Sequence, residues 1–426
     1  MSFDDWKPVK LGDLSLKITK GTTPSTIGSG FTNEGVKFFR AESLTDSKYL
    51  DKSKLKFIND STQEKMRRSQ LNEYDILFSM AGMFLGKTAV VTKSDIPSNI
   101  NQAVALIRLD QKLADHNYIY YYLNQKSVIE YVNSSSAQSA QPNINLKQIG
   151  EIEITIPKLP SQKKIASFLS ALDEKIELNN RLNKVLEQMA QAIFKQWFVD
   201  FEFPNEDGEP YKSSGGEMEW CEELGKEIPK GWRVGKVTDV LHINPKRSLK
   251  KGTNAVYLEM KNLPSFSARA TDWIEREFTS GSKFINGDVL LARITPCLEN
   301  GKTIIVDFLD ADEVGWGSTE FIVLRSKNEH ALGFAYFLAR TEDFRNHAIR
   351  NMSGSSGRQR VPESCFEFYL MALPPSYILE QFGLITDSFL QRMKRNGDEV
   401  KVLSYLRDAL LPKLMSGEID ISEIEL

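Results

Sequence analysis

Residues 165–193 read IASFLSALDEKIELNNRLNKVLEQMAQAI, and residues 382–410 read FGLITDSFLQRMKRNGDEVKVLSYLRDAL. Both stretches carry a seven-residue repeat. Ile165, Leu172, Asn179, Leu186 and Ile193 form one series; Phe382, Phe389, Asn396, Leu403 and Leu410 form the other. Phe168, Leu182 and Met189, and likewise Ile385 and Leu406, occupy the position three residues later in the heptad. A mean spacing of 3.5 keeps one apolar seam facing a partner helix, so each stretch is read as one strand of a coiled coil. About 35 residues in a helix extend about 50 Å at 1.5 Å per residue. The two series superimpose when 217 is added to each number, polar interruption included, since 396 − 179 is 217. Two equivalent helices can be related by a pseudo-twofold axis that crosses the seam, and they then pack antiparallel and meet at equivalent positions only at their centres. The expectation is therefore that Asn179 meets Asn396 and sets the register, as a buried polar residue in a seam does.

The repeat extends outward from these helices. Trp6 to Asp13 matches Trp232 to Asp239. Asp75-Ile76-Leu77 recurs as Asp288-Val289-Leu290, and Gly86-Lys87-Thr88 as Gly301-Lys302-Thr303. Ala105 to Arg108 resembles Ile322 to Arg325, Tyr120 pairs with Tyr336, and Pro157 with Pro374. The offset drifts within each half before settling at 217, which places insertions in loops. One fold is written twice with different loop content.

Each half mixes strands and helices. Val36–Arg40, Asp75–Phe78, Lys87–Val91 and Ala103–Leu109 are rich in β-branched and aromatic residues and read as strands; Ala255–Glu259, Asp288–Ala292, Lys302–Val306 and Glu320–Leu324 are their partners. Tyr118–Val132 and Gly333–Ile349 read as helices, followed by the small-polar loops Ser134–Gln141 and Ser353–Gln359. The expected divisions are a first globular domain over 1–158, a helix over 159–200, an acidic linker over 201–231, a second globular domain over 232–374, a second helix over 375–416, and a tail over 417–426.

At 426 residues the chain is too long for one ordinary core. No apolar run reaches the roughly 18 residues of a membrane helix, so no membrane role is expected. Met1 to Trp6 lacks a basic segment followed by an apolar one, so no secretory signal is read. Cys221, Cys297 and Cys365 are odd in number and far apart, which fits a reducing cytoplasm and argues against a disulfide framework. The net charge of −3 is uneven: residues 200–227 hold ten acids against Lys212 and Lys226, a local −8 that leaves +5 for the rest. That segment reads as a solvated linker masking two mildly basic domains.

Catalytic motifs are weak. Leu373-Pro374-Pro375-Ser376-Tyr377 is superficially similar to the Asn-Pro-Pro-Tyr motif of amino-methyltransferases, but Leu373 cannot hold an amino group. Asp239 with Glu259-Met260-Lys261 follows a nuclease-like carboxylate order, although the first half has Arg40-Ala41-Glu42 there. His116, His242, His330 and His347 have no metal spacing. The polar loops are more informative, because Ser, Gln and Arg bond base edges. Ser136, Gln138 and Gln141 in the first loop, and Ser355, Arg358, Gln359 and Arg360 in the second, are candidate DNA contacts. Lys52, Lys54, Lys56, Lys65, Arg67, Arg68 and Lys87, with Lys246, Arg247, Lys250, Lys251 and Lys302, are candidates for phosphate.

Trp6 with Leu11-Gly12-Asp13, then Gln162 to Ala166, Leu178 to Asn183 and Gln196 to Phe201, resembles the specificity subunit of type I restriction–modification systems. Leu406 to Ile419 is similar to the end of that family's second helical region. The resemblance implies a mixed α/β (α+β) multidomain chain in which an antiparallel two-helix coiled coil joins two repeated target recognition domains with pseudo-twofold symmetry. It also implies double-stranded DNA with a bipartite site, two methylation subunits docked on the chain, and two restriction subunits as optional additions. Adenosylmethionine, ATP and Mg²⁺ then belong to those partners, and the chain binds no cofactor or metal and catalyses nothing. The competing reading is an interaction scaffold with no DNA role.

Overall fold

The computed structural model describes residues 6–136, 143–355 and 357–420, with the backbone alone at Ser135 and Ser136. The chain divides into two compact units, Met1–Glu177 with Lys401–Leu426, and Leu178–Val400. The two long helices, α1 (Leu159–Phe198) and α2 (Ser376–Met415), are each continuous, and each contributes part of its length to each unit. Pro374 and Pro375 precede α2, where their missing N–H groups and fixed φ suit a helix start. Gly417, at φ 77°, adopts the left-handed turn that ends it.

In the first unit Lys7–Lys10 pairs antiparallel with Glu153–Ile156. A four-stranded antiparallel sheet follows the order Ser15–Lys20, Val104–Leu109, Ile76–Ser79, Thr88–Val90. A three-stranded sheet places Val36–Phe39 between Lys56–Ile58 and a parallel Ser98–Ile100. The second unit repeats this plan. Arg233–Lys236 pairs with Leu370–Leu373, and Leu241–Ile243, Phe321–Ser326, Val289–Ala292 and Thr303–Ile305 form the four-stranded sheet. Asn254–Leu258 lies between Ile274–Glu277 and a parallel Gly315–Gly317, with Ser282–Phe284 as an added strand.

These central strands are apolar at most positions because both sheet faces are covered. Alternate residues enter different cores, as a two-residue period requires. Ile76, Phe78, Ala105 and Ile107 face the helical core, which also holds Ile165, Leu169 and Leu414; Leu77, Val104 and Leu106 face the other side. In the second unit Val289, Leu291, Ile322 and Leu324 join Phe194, Trp197 and Phe382, while Leu290, Phe321 and Val323 face away. The expected helices each resolve into two short ones, His116–Leu123 with Lys126–Ser136 and Gly333–Ala339 with Glu342–Arg350. Among the described residues no helix is long and apolar enough to cross a membrane.

Two expectations change. The acidic segment is folded rather than a solvated linker. Met218–Cys221 and Lys226–Pro229 form a hairpin. Phe203 stacks on Trp232 and on Tyr211 with ring centroids 5.2 and 4.6 Å apart, and Phe201, Phe203 and Ile228 belong to the second unit's core. The interspersed aromatic residues bury surface while the carboxylates stay outside.

The asparagine pairing also differs. Asn179 and Asn396 are both buried, but each bonds about one turn away on the other helix. The Asn179 amide donates to Glu399 at 2.9 Å, and the Asn396 amide donates to Asn183 Oδ1 at 2.8 Å. Asn183 in turn donates to the Met393 carbonyl at 3.2 Å. The helices are thus antiparallel in this unit, with the register slipped by roughly a turn from the equal-centre arrangement. Gly397 explains part of the slip's surroundings. Arg269 packs against it, donating to the carbonyls of Met393 and Lys394 and to Asp398, and a Cβ at 397 would lie 1.7 Å from the guanidinium.

Every residue of the 165-to-193 and 382-to-410 series is buried or half-buried. The second buried row is not the expected one. Leu169, Ala190 and Trp197 on α1, and Thr386, Met393 and Leu414 on α2, are buried four residues after the first row. Leu182, Met189 and Leu406, expected in the seam, are exposed. The inward stripe is turned because within each unit the two helices pack against that unit's strands as well as against each other.

Candidate nucleic-acid interface

The two units build the same surface corner. In the first, the strand Ile76–Ser79 leads into a turn in which Ala81 forms a bridge with Asn143, and Ile144 N–H donates to the Met80 carbonyl at 2.9 Å. In the second, Val289–Ala292 leads into residues 293–301; Ile294 bridges Arg360, and Thr295 N–H donates to the Gln359 carbonyl at 3.0 Å. Each polar loop named from the sequence is thereby tied, at its far end, to the loop after the same sheet strand. The loops at 80–86 and 293–301 were missed in the sequence. Their signal was the drift in offset from 213 at Asp75/Asp288 to 215 at Gly86/Gly301, which marks a length change between two matched strands.

A buried ion pair supports each corner. Asp75 is almost fully buried and takes a bidentate bond from Arg108, at 2.8 and 2.7 Å. That bond, with the attraction of the carboxylate, holds the guanidinium above its ordinary pKa despite partial burial. Asp288 is fully buried and takes two arginines, Arg247 at 2.9 Å and Arg325 at 3.0 Å. Asp75/Asp288 and Arg108/Arg325 are equivalent in the repeat; Arg247 belongs to the second unit alone.

That contact changes the standing of Arg247, whose guanidinium is committed to a buried carboxylate. Four other candidates also have partners within the fold. Arg360 forms a bidentate bond with Glu320, at 2.8 and 2.9 Å. Lys52 pairs with the buried Asp95 at 2.9 Å, and Lys87 pairs with Asp46. Lys302 donates to the Met260 carbonyl at 2.9 Å. Each of these side chains first serves the fold. Lys54, Lys56, Lys65 and Arg67 in the first unit, and Lys246, Lys250, Lys251 and Arg358 in the second, are exposed and have no side-chain partner among the described residues. Arg68 is exposed with a single long bond to the Lys20 carbonyl. Ser355 is exposed and Gln359 half-buried. Gln138 and Gln141 lie outside the described residues, as does the side chain of Ser136.

The weak catalytic patterns dissolve. Leu373 is the buried last residue of a strand opposite Arg233. Asp239 accepts the Lys236 N–H at 3.0 Å, and Glu259 pairs with its neighbour Lys261. The helices instead expose a repeated apolar feature. Val185 and Met189 on α1 are 49% and 46% exposed, and Val402 and Leu406 on α2 are 58% and 41% exposed. They are equivalent pairs, since 402 − 185 and 406 − 189 are both 217.

Comparison with known proteins gives these features a common context. Residues 3–188 match the family model described as the type I restriction modification DNA specificity domain. The chain is 27% identical to the type I restriction enzyme MjaIX specificity subunit of Methanocaldococcus jannaschii, over 99% of this chain and 95% of that one. It is 22% identical to the HindI specificity subunit of Haemophilus influenzae, over 97% and 100% of the two chains. The crystal structure of a type I restriction–modification S subunit from M. genitalium shares the fold, with a TM-score of 0.54 and 15% identity over 96% of each chain. The relatives are named as specificity subunits, not as methyltransferases or nucleases, and the matched model is described as a DNA specificity domain. The doubled domain and the heptad helices thus fit the specificity subunits of type I restriction–modification systems, to which the chain is similar along nearly its whole length, with the DNA specificity domain model itself matched over residues 3–188.

Proposed function

We propose that this chain reads a bipartite double-stranded DNA target, one half-site per recognition domain, and carries the catalytic subunits of a type I complex. The observation that carries the reading is duplication with divergence. Two units share strand order, a buried Asp–Arg support and a tied polar loop, and they differ in the loop side chains. Repeated scaffolds with different reading loops suit two different half-sites. Exposed lysines and arginines in each unit supply the sequence-independent attraction to phosphate.

The equivalent apolar pairs Val185/Met189 and Val402/Leu406 offer two like docking faces, which suits two copies of one methylation subunit. Two restriction subunits join as further members. Adenosylmethionine, ATP and Mg²⁺ act on those partners, and the complex works in the cytoplasm. The test is methylation-sensitive sequencing of cells carrying this chain with its methylation subunits. A methylated motif of two specific blocks separated by an unspecified gap is expected. A continuous motif, or no methylation that depends on this chain, overturns the reading.

A further inference from the structure

Arg293 opens the loop that follows Val289–Ala292, at the place Met80 holds in the first unit (293 − 80 is 213). Its main chain is pinned on both sides. The N–H donates to the Glu320 carbonyl at 3.0 Å, and the carbonyl accepts from Val361 N–H at 2.9 Å. Its side chain is half-buried and has no hydrogen bond or ion pair among the described residues, and its Nε is shielded from solvent. Five other arginines of this unit are engaged, whereas Arg358 is exposed. Arg247 and Arg325 hold Asp288, Arg360 holds Glu320, Arg340 bonds the Gly301 carbonyl at 3.2 Å, and Arg345 bonds the Glu299 carbonyl at 2.9 Å.

The shielded Nε, with nothing to bond among the described residues, has lost water without replacement, while the rest of the guanidinium stays open to an incoming acceptor. Such a group is explained when its acceptor arrives with a ligand. The planar fork of arginine suits two acceptors side by side, as the N7 and O6 atoms of guanine present them. Phosphate is the other acceptor available on DNA. Position favours the base. Lys250, Lys251 and Arg358 are exposed, where backbone phosphates are met, whereas Arg293 is recessed where two hydrogen-bonded loops join. Base readout needs a side chain anchored in this way; phosphate attraction does not.

We propose that Arg293 is a specificity-determining residue of the second domain and donates from its guanidinium to the N7 and O6 of one guanine in the second half-site. This rests on the DNA-reading function proposed above. The test compares the wild-type chain, Arg293→Ala and Arg293→Lys, each full length and with its methylation subunits, by methylated motif and by binding to duplexes. In the second half-site one guanine should lose its selection in both variants, by about tenfold or more, while the first half-site stays unchanged and reports that the protein is folded. Replacing that guanine with 7-deazaguanine should weaken the wild type and leave Arg293→Ala unaffected. Equal weakening on all sequences with a shallower salt dependence, full rescue by lysine, or an unchanged motif would each overturn it. If the wild-type complex selects no motif, the function itself fails, an outcome distinct from a variant that reads normally.

Discussion

The loop after Ile76–Ser79 and the loop after Val289–Ala292 occupy equivalent places and have opposite chemistry. The first is short and apolar at its tip. Met83 is 89% exposed, between Gly82 and Gly86, both with positive φ. The second is longer and polar, with Arg293 at its base, Leu298 turned into the core, and the Glu299 carboxylate accepting from Thr295. Beneath them the strands, the Asp–Arg support and the bridge to the polar loop are shared. Side chains that fill a core between two sheets are constrained by volume. Side chains at these loop tips are not, so one scaffold accommodates two reading surfaces.

The strongest way to break this comparison is to exchange one scaffold's contents. Replacing residues 10–155 with the same region of a relative should change one half of the DNA target completely and leave the other half as it was. Sequencing methylated sites before and after the exchange checks this. Changes on both sides of the gap would mean that the units do not read independently.

A smaller effect should separate the two supports. Asp288→Ala leaves Arg247 without its carboxylate and Arg325 with only the exposed Glu329, and should cost about 3–5 kcal/mol. Asp75→Ala strands one guanidinium, that of the more exposed Arg108, and should cost less. Urea denaturation of the two variants measures the difference. Equal losses would show that Arg247 adds nothing beyond the shared pair.

The smallest effect concerns how each unit grips α1. In the first, Asp173 accepts the Tyr121 hydroxyl at 2.6 Å and pairs with Arg407 at 2.9 Å. In the second, Glu187 accepts the Tyr336 hydroxyl and the Ala268 N–H, but Arg340 stands off at 3.7 Å. Burial therefore wins at Glu187 and raises its carboxyl above the ordinary value, against the lowering effect of those three partners. A raised folded-state pKa means that the folded form favours the proton. The stabilising contribution is full below the unfolded pKa and is lost as pH rises through the folded one. Glu187→Gln should accordingly compare best with the wild type near neutral pH, and the wild type should gain on it as the medium is acidified toward pH 5. Urea midpoints at the two pH values test the sign; a wild-type advantage that grows toward neutrality would contradict it.

Much of this architecture was legible in the sequence. The heptad rows at 165–193 and 382–410, the offset of 217 and the paired strands all reflect short-range periodicity, which the chain carries locally. The candidate cations were legible only as charges. Arg247, Arg360 and Lys87 each meet an acid about forty residues away, and nothing local marks them off from Lys250 or Arg358, which meet none.

The sequence by itself determined two like domains, two long helices and the asparagines that interrupt their seams. Only the tertiary structure decided which faces of those helices are turned inward. Leu182, Met189 and Leu406 have the apolarity of a seam but are exposed, while Thr386 and Asn183, which look like surface residues, are buried or half-buried. A helical repeat records which side chains share a face. Which face is covered depends on everything packed around the helix, and here that includes a sheet domain as well as the other helix. The same cause moved the asparagines out of direct pairing: Asn179 meets Glu399 and Asn396 meets Asn183, because register is set by the sum of those contacts rather than by the symmetry of the repeat.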